Sequence, residues 1–401
     1  MPFAEVTTPV PAKEAFQRSD DAAILSQAAT LLLLGGQIKH QVNLPVTAMS
    51  LQALPPAPAL APQEDLSALG VPAISATPLR FDSLRIAEAV NSRYALTPPK
   101  KISKPRAVQA HREALADLSK RFVAEPSAST AAELMDTCLT HSHELVRVAA
   151  AAAYFDQSSQ PDRLVGILFA GTKSKDYLVR DVAATALARI APANPGLQEI
   201  IKPRRRARPR GKKSHTTVLI HGTWARNSPW WQPGGDFFKY LTGVLLPLSR
   251  TAPLPATPPW DAPYAAADYY FWTGGYSDAA RSLGAQDLVS WANNHASLNA
   301  DMITHSHGGN VAFLASQMGL TMKEAVVLSC PVHFPKYQPD FTKIRKIVSV
   351  RVHLDLVILA DLGGQKFDDP RIQENVLPVW FDHFATHDPK KWTKYNVPAK
   401  L

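Results

Sequence analysis

The spacing of apolar residues changes character after residue 213. From there on, short β-rich runs alternate with helical stretches, as in TTVLIH, DYYFW, DMITH, EAVVLSC, KIVSVRV and LPVWF. Strands that alternate with helices are typical of a parallel sheet joined by crossover helices. The pattern therefore predicts an α/β domain over residues 214–401, with a doubly wound, mostly parallel sheet.

Residues 107–201 follow a helical pattern instead. Alanine-rich segments place apolar residues three and four positions apart. Two of them, HELVRVAAAAAYF and YLVRDVAATALARI, share a Leu-Val-Arg motif that recurs after 33 residues, at Arg147 and Arg180. Such pairs resemble HEAT-like repeats, in which small residues let helices pack closely. The segment predicts a small all-α module, and a plain helical bundle is the alternative.

Two further segments carry little periodic pattern. Residues 1–106 are rich in alanine and proline and predict an N-terminal extension with one helix, at Asp21–Leu34. Residues 202–213, KPRRRARPRGKK, hold eight of the lysines and arginines and predict an exposed basic linker. This run carries most of the net charge of +9 and lacks interleaved aromatic residues. A nucleic-acid partner is therefore not favoured, while contact with an anionic membrane surface stays open.

Composition sets further limits. The chain has 401 residues, 46% of them hydrophobic, which is enough for more than one core. Its two cysteines, Cys138 and Cys330, are too few for a disulfide framework. The apolar run Ala22–Gly36 is too short for a membrane span and lacks the basic start of a signal peptide. The cytoplasm is the default expectation, with non-classical export left open.

The segment DMITHSHGGNVAFLA places Ser306 between an apolar strand and a helix. This is the pattern of a nucleophile elbow, which needs small residues two positions before and after the serine. Gly308 meets that need, whereas Thr304 stands where glycine is commoner and predicts a slightly looser turn. Ser306 is the predicted nucleophile. His305 should pack beneath the turn, and the amide of His307 should face the developing oxyanion.

A second oxyanion donor is expected from VLIHGTWA, about 80 residues upstream. Lipases and esterases place a His-Gly pair after an apolar strand for this purpose. The donor would come from the segment after Gly222, at Thr223 or Trp224. Aromatic residues between this strand and the elbow predict a packed cap or an apolar wall for an acyl chain, and they include Trp224, Trp230, Trp231, Trp260 and Trp272.

A serine hydroxyl needs a base and an orienting carboxylate, which follow in the order Ser, Asp, His in this fold. Asp355 comes at the end of the run KIVSVRV, and Asp361 is the reserve candidate. His383 is the first histidine after the last apolar run and is the preferred base. His387, four residues on, is the alternative.

Four segments together, HGTWA, FWTGGYSDAARSL, HSHGGNVAFLA and HFATHDPKKW, resemble lipase-like or esterase-like α/β-hydrolases over about 190 residues. The resemblance implies cleavage of an acyl ester, lipids included, through an acyl-enzyme and without a cofactor. The alternative is a catalytically silent scaffold whose helical module binds a protein partner. No metal is predicted, because no ligands at metal spacing follow the histidine pairs, His141 with His143 and His305 with His307.

Overall fold

The computed structural model describes two compact units of the chain. The first comprises Met1–Leu197, His353–Gly364 and Val379–Asp382, and the second comprises Gln198–Val352, Gln365–Pro378 and His383–Leu401. The residues that the structure describes are 19–43, 101–124, 127–155, 158, 161–192, 194, 196–197, 200, 217–251, 269–295 and 299–401.

Helices and strands occur in these described residues in the following order. The helices are α1 (Ser19–Asn43), α2 (Pro105–Ala124), α3 (Ala128–Cys138), α4 (Glu144–Tyr154), α5 (Pro161–Gly171), α6 (Tyr177–Ile190), α7 (Asp236–Thr251), α8 (Asp278–Asn294), α9 (His307–Gln317), α10 (Leu356–Asp361) and α11 (Pro389–Lys394). The strands are β1 (Thr217–Ile220), β2 (Ala300–His305), β3 (Met322–Leu328), β4 (Ile344–His353) and β5 (Ile372–Trp380).

Helix α1 belongs to the core of the first unit. It confirms the helix predicted at Asp21–Leu34 and extends beyond both of its ends. Leu34 is fully buried, and α1 packs closely against α4. A Cβ atom added to Gly35 would lie 2.6 Å from the Cα of Ala153. A segment of the predicted N-terminal extension thus contributes a buried helix.

The repeated Leu-Val-Arg motif has the same local structure in both copies. Arg147 donates from Nη1 to the carbonyl oxygen of His141 at 2.7 Å, and Arg180 donates from Nη1 to that of Ser174 at 3.0 Å. Each arginine therefore satisfies a carbonyl six residues before it, in the turn that leads into α4 or α6. Ser174 also donates to Glu144 at 2.7 Å and joins the two copies. The HEAT-like assignment itself stays a prediction.

A five-stranded parallel sheet with the order β1-β2-β3-β4-β5 organises the second unit. Its strands pair in register from Thr217↔Asp301 between β1 and β2 to Leu328↔Val350 between β3 and β4. This confirms a mixed α/β fold with parallel strands. Helix α9 packs against β1, β2, β3 and α8, and it follows β2 after a single residue.

One predicted strand is wrong. Residues 269–272 of the run DYYFW form no strand. Two of these residues are buried for another reason: Tyr270 donates its hydroxyl to the Gly284 carbonyl at 2.7 Å, and Trp272 donates its indole N–H to the His221 carbonyl at 2.8 Å. Such anchored aromatic residues imitate the composition of a strand. Elsewhere in the described part, no helix combines the length and apolar character needed to cross a membrane.

Candidate active site

Ser306 occupies a sharp turn between β2 and α9. Its backbone angles are φ 53° and ψ −136°, a region that side-chain-bearing residues rarely adopt. Its N–H donates to the carbonyl of Leu328 at the end of β3, at 2.8 Å, which holds the strained residue in place. The strand, turn and helix predicted around this serine are present, and the side chain is 6% exposed.

Small residues around Ser306 are required by space. A Cβ atom on Gly308 would lie 2.6 Å from the carbonyl oxygen of Ile220, and one on Gly309 would lie 2.5 Å from Sγ of Cys330. Thr304 is tolerated because its hydroxyl donates to the Val326 carbonyl at 3.4 Å and because Gly309 leaves room beside it. The threonine is thus accommodated by β3 and by the second glycine.

The His-Gly segment after β1 lies directly against the serine. A Cβ atom on Gly222 would be 2.6 Å from the Cβ of Ser306 and 3.3 Å from its Oγ. The N–H of Trp224 donates to the Gly274 carbonyl at 3.0 Å, so this predicted oxyanion donor is already engaged. Thr223 is the better candidate. Its N–H belongs to the peptide that joins it to Gly222, and in a trans peptide the N–H points away from the carbonyl oxygen, here that of Gly222.

The orientation of that peptide is fixed from its carbonyl side. His221 donates from Nδ1 to the Gly222 carbonyl at 2.8 Å, and the Ala225 N–H approaches the same oxygen at 3.3 Å. His221 is fully buried beside Trp231, and this burial lowers its pKa to about 4. The ring is therefore neutral near pH 7 and donates without carrying a charge.

Both candidate bases lie beside the residue that precedes the serine. The ring of His305 is 4.6 Å from that of His383 and 4.5 Å from that of His387, measured between centroids. His387 also stacks on Trp230 at 4.1 Å with an interplanar angle of 7°. His383 and His387 are 2% and 9% exposed. The structure therefore brings both rings to His305, the residue before Ser306, and the choice between them stays a prediction.

Burial keeps two members of this histidine cluster neutral. It lowers the pKa of His387 to about 3, with a further contribution from His383. Burial also lowers the pKa of His305 well below the usual value, and the neighbouring His387 and His383 lower it further. A base must be neutral before it accepts a proton. Within the described residues, Nε2 of His387 has no hydrogen-bond partner.

The two candidate carboxylates belong to the first unit. Asp355 follows β4 by two residues and is 1% exposed. Its Oδ1 accepts the N–H groups of Val357 at 3.0 Å and Ile358 at 3.2 Å, so it caps α10. Asp361 is the last residue of α10 and is also buried. The assignment of either as the orienting acid stays a prediction.

Sequence reasoning missed Asn310, which orients the side chain next to the nucleophile. Its Nδ2 donates to the Pro331 carbonyl at 3.2 Å and lies 3.0 Å from Nδ1 of His307. The Pro331 carbonyl can only accept a hydrogen bond, so the amide of Asn310 must turn its NH₂ group toward it. The same NH₂ group donates to Nδ1 of His307. The HSHGGN motif contains both residues, three positions apart on a helix, and this spacing was the available signal.

Comparisons with known protein families, curated proteins and solved structures find little similarity to this chain. No protein-family model and no curated protein matches the chain. Among solved structures, the crystal structure of Aspergillus fumigatus lipase B is similar at 11% identity, over 73% of this chain and 77% of that chain, with a TM-score of 0.25. A likeness at this level carries no argument about fold or activity.

Proposed function

We propose that this protein is a serine hydrolase that cleaves a carboxylic ester through an acyl-enzyme on Ser306. The observation that supports this most directly is the backbone of Ser306, at φ 53° and ψ −136° in a strand-turn-helix. Holding a residue there costs about 1–3 kcal/mol, and proteins retain such strain chiefly at functional sites. The neighbouring segments also leave no room for a side chain at Gly222 or Gly308, so they pack closely around this turn.

The finer architecture belongs to the same proposal. The sheet is of the α/β-hydrolase type and doubly wound, because Gly222, Ser306, Asp355 and His383 each follow a strand of one parallel sheet in the order that this fold requires. The helical module of residues 107–201 is HEAT-like and serves as a regulatory or targeting device.

The reaction begins when Oγ of Ser306 attacks the ester carbonyl and His383 takes the hydroxyl proton. The amides of His307 and Thr223 stabilise the tetrahedral oxyanion. His383 then returns the proton to the leaving alcohol, and an acyl-enzyme remains. Water, deprotonated by the same histidine, releases the carboxylic acid and restores Ser306. Asp355 orients the imidazole, and His387 and Asp361 are the reserve candidates for base and acid.

An acyl ester, lipids included, is the proposed substrate. Trp230 lies half-buried against His387, and Phe384 packs against the same histidine at 5.8 Å. Aromatic faces of this kind supply the apolar contact area that acyl chains need.

The test is hydrolysis of p-nitrophenyl esters of increasing acyl length, with labelling by a fluorophosphonate probe. Ser306→Ala should abolish both turnover and labelling, and Ser290→Ala, an exposed serine on α8, should change neither. Replacing the true base should lower kcat by about 10⁴-fold or more, which separates His383→Ala from His387→Ala. If the unmodified protein shows neither turnover nor labelling, the fold is a silent scaffold and the proposal fails.

A further inference from the structure

His305 makes a contact that the reaction scheme does not use. It is the last residue of β2, is 3% exposed, and is covalently joined to Ser306. Its Nε2 lies 3.2 Å from the carbonyl oxygen of His383, which is 78 residues away in the chain. A carbonyl oxygen only accepts, so Nε2 must carry the hydrogen. His305 is therefore the Nε2–H tautomer, and its Nδ1 is buried without a partner among the described residues.

The surroundings of His305 favour this neutral form. The titratable groups that act on it are His387, His383 and His221, and each would oppose a positive charge on the ring. Trp230 meets the ring edge-on at 5.4 Å. A proton added to Nδ1 would be buried among these groups, so the ring stays a neutral donor over the pH range in which an esterase works.

The segment from His383 to His387 is held at further points. The Trp392 indole N–H donates to the Thr386 carbonyl at 2.6 Å, and the Thr386 hydroxyl lies 3.1 Å from Oγ of Ser329. These contacts fix the middle of the segment against α11 and against the residue that follows β3. The Thr386 hydroxyl also lies 3.3 Å from the His383 carbonyl oxygen. The contact with His305 differs, because it joins that carbonyl to the residue next to the nucleophile.

We propose that His305 is a positioning residue, which sets the distance between Ser306 and the catalytic histidine by tying the His383 backbone to the serine turn. The proposal rests on the proposed function of Ser306. His305 takes no part in proton transfer, because its one hydrogen is committed to the carbonyl. Its effect is geometric, and a misplacement of about 1 Å between reacting groups costs on the order of 100-fold in rate.

The experiment compares two replacements of His305 in the full-length protein. His305→Phe keeps a ring but removes the donor, whereas His305→Gln keeps an amide donor at nearly the same reach. We expect His305→Phe to lower kcat about 10- to 100-fold with KM unchanged and to slow fluorophosphonate labelling by the same factor. His305→Gln should restore most of this loss, and the pH profile of kcat should keep its shape in both.

Ile303→Val, a buried change on the same strand, is the control for stability. It should lower the unfolding temperature without lowering kcat. The positioning role is overturned if His305→Phe matches the unmodified protein, or if both His305 variants lose activity equally and in proportion to their unfolding temperatures. If the unmodified protein is not labelled at all, the proposed function fails and this inference fails with it. An active protein with an active His305→Phe variant overturns the inference alone.

Discussion

Gly222→Ala is the perturbation that most directly tests the contact between the His-Gly segment and the nucleophile. The added Cβ would lie 2.6 Å from the Cβ of Ser306 and 2.9 Å from the carbonyl oxygen of His305. Carbon atoms in contact lie about 3.5–4.0 Å apart, so the two segments must separate by about 1 Å. Gly222 does not have a left-handed φ, so space and not backbone conformation opposes the alanine.

The size of the effect follows from that displacement. Overpacking of this kind costs about 1–3 kcal/mol of stability, which a domain stable by about 5–15 kcal/mol survives. A 1 Å shift between the serine and its oxyanion donor should lower activity by about 100-fold. We therefore expect a folded protein with strongly reduced kcat and slow fluorophosphonate labelling.

The matched control is Gly243→Ala on α7, where an added Cβ meets nothing within 4 Å. That change should leave labelling intact and stabilise the helix by up to about 1 kcal/mol. Thermal unfolding checks that both variants are folded. If Gly222→Ala is labelled at the unmodified rate, the segment after β1 does not supply the oxyanion donor, and the assignment of Thr223 is wrong.

Two further predictions concern stability. Burial holds the pKa of His141 and His221 at about 4 and that of His387 at about 3. The pKa of a histidine in the unfolded chain is about 6.5, so below that pH the unfolded chain binds protons that the folded protein does not. The free energy of unfolding is therefore complete above pH 6.5 and falls by up to about 2 kcal/mol per histidine by pH 5. Urea titrations that give equal stability at pH 7 and pH 5 would contradict this. Gly35→Ala should cost about 1–3 kcal/mol because the new Cβ meets Ala153, and an unchanged unfolding curve would show that α1 does not pack there.

The elements that could be predicted are those whose cause is local. Apolar runs between helical stretches predicted β1 to β4, because a parallel strand buried on both faces has a mostly apolar sequence. The run LPVWF predicted only the end of β5, because the first half of that strand is largely polar and partly exposed, as at Gln373 and Asn375. The run DYYFW imitated this pattern, since Tyr270 and Trp272 are buried by contacts with Gly284 and His221. Nothing in the run itself distinguishes those two causes of burial.

The same division applies to the site. The turn at Ser306 was predictable because its steric demands fall on Thr304 and Gly308, two residues away on either side. The engagement of the Trp224 amide by Gly274 was not, because it joins residues 50 positions apart. The hydrogen bond from His305 to His383 spans 78 positions and escaped prediction for the same reason.

Histidine is suited to both places where a ring holds a backbone carbonyl beside Ser306. His221 donates to the Gly222 carbonyl and His305 to the His383 carbonyl, and both rings are almost fully buried. A lysine or arginine would bring an uncompensated charge into these positions, at a cost that burial makes prohibitive. A neutral imidazole provides a donor with no charge, but only while it remains unprotonated. Burial lowers the pKa of His221 to about 4 and that of His305 well below its usual value, so neither ring is protonated over the pH range in which an esterase works. The acid side of the kcat profile should therefore follow the titration of the catalytic histidine alone.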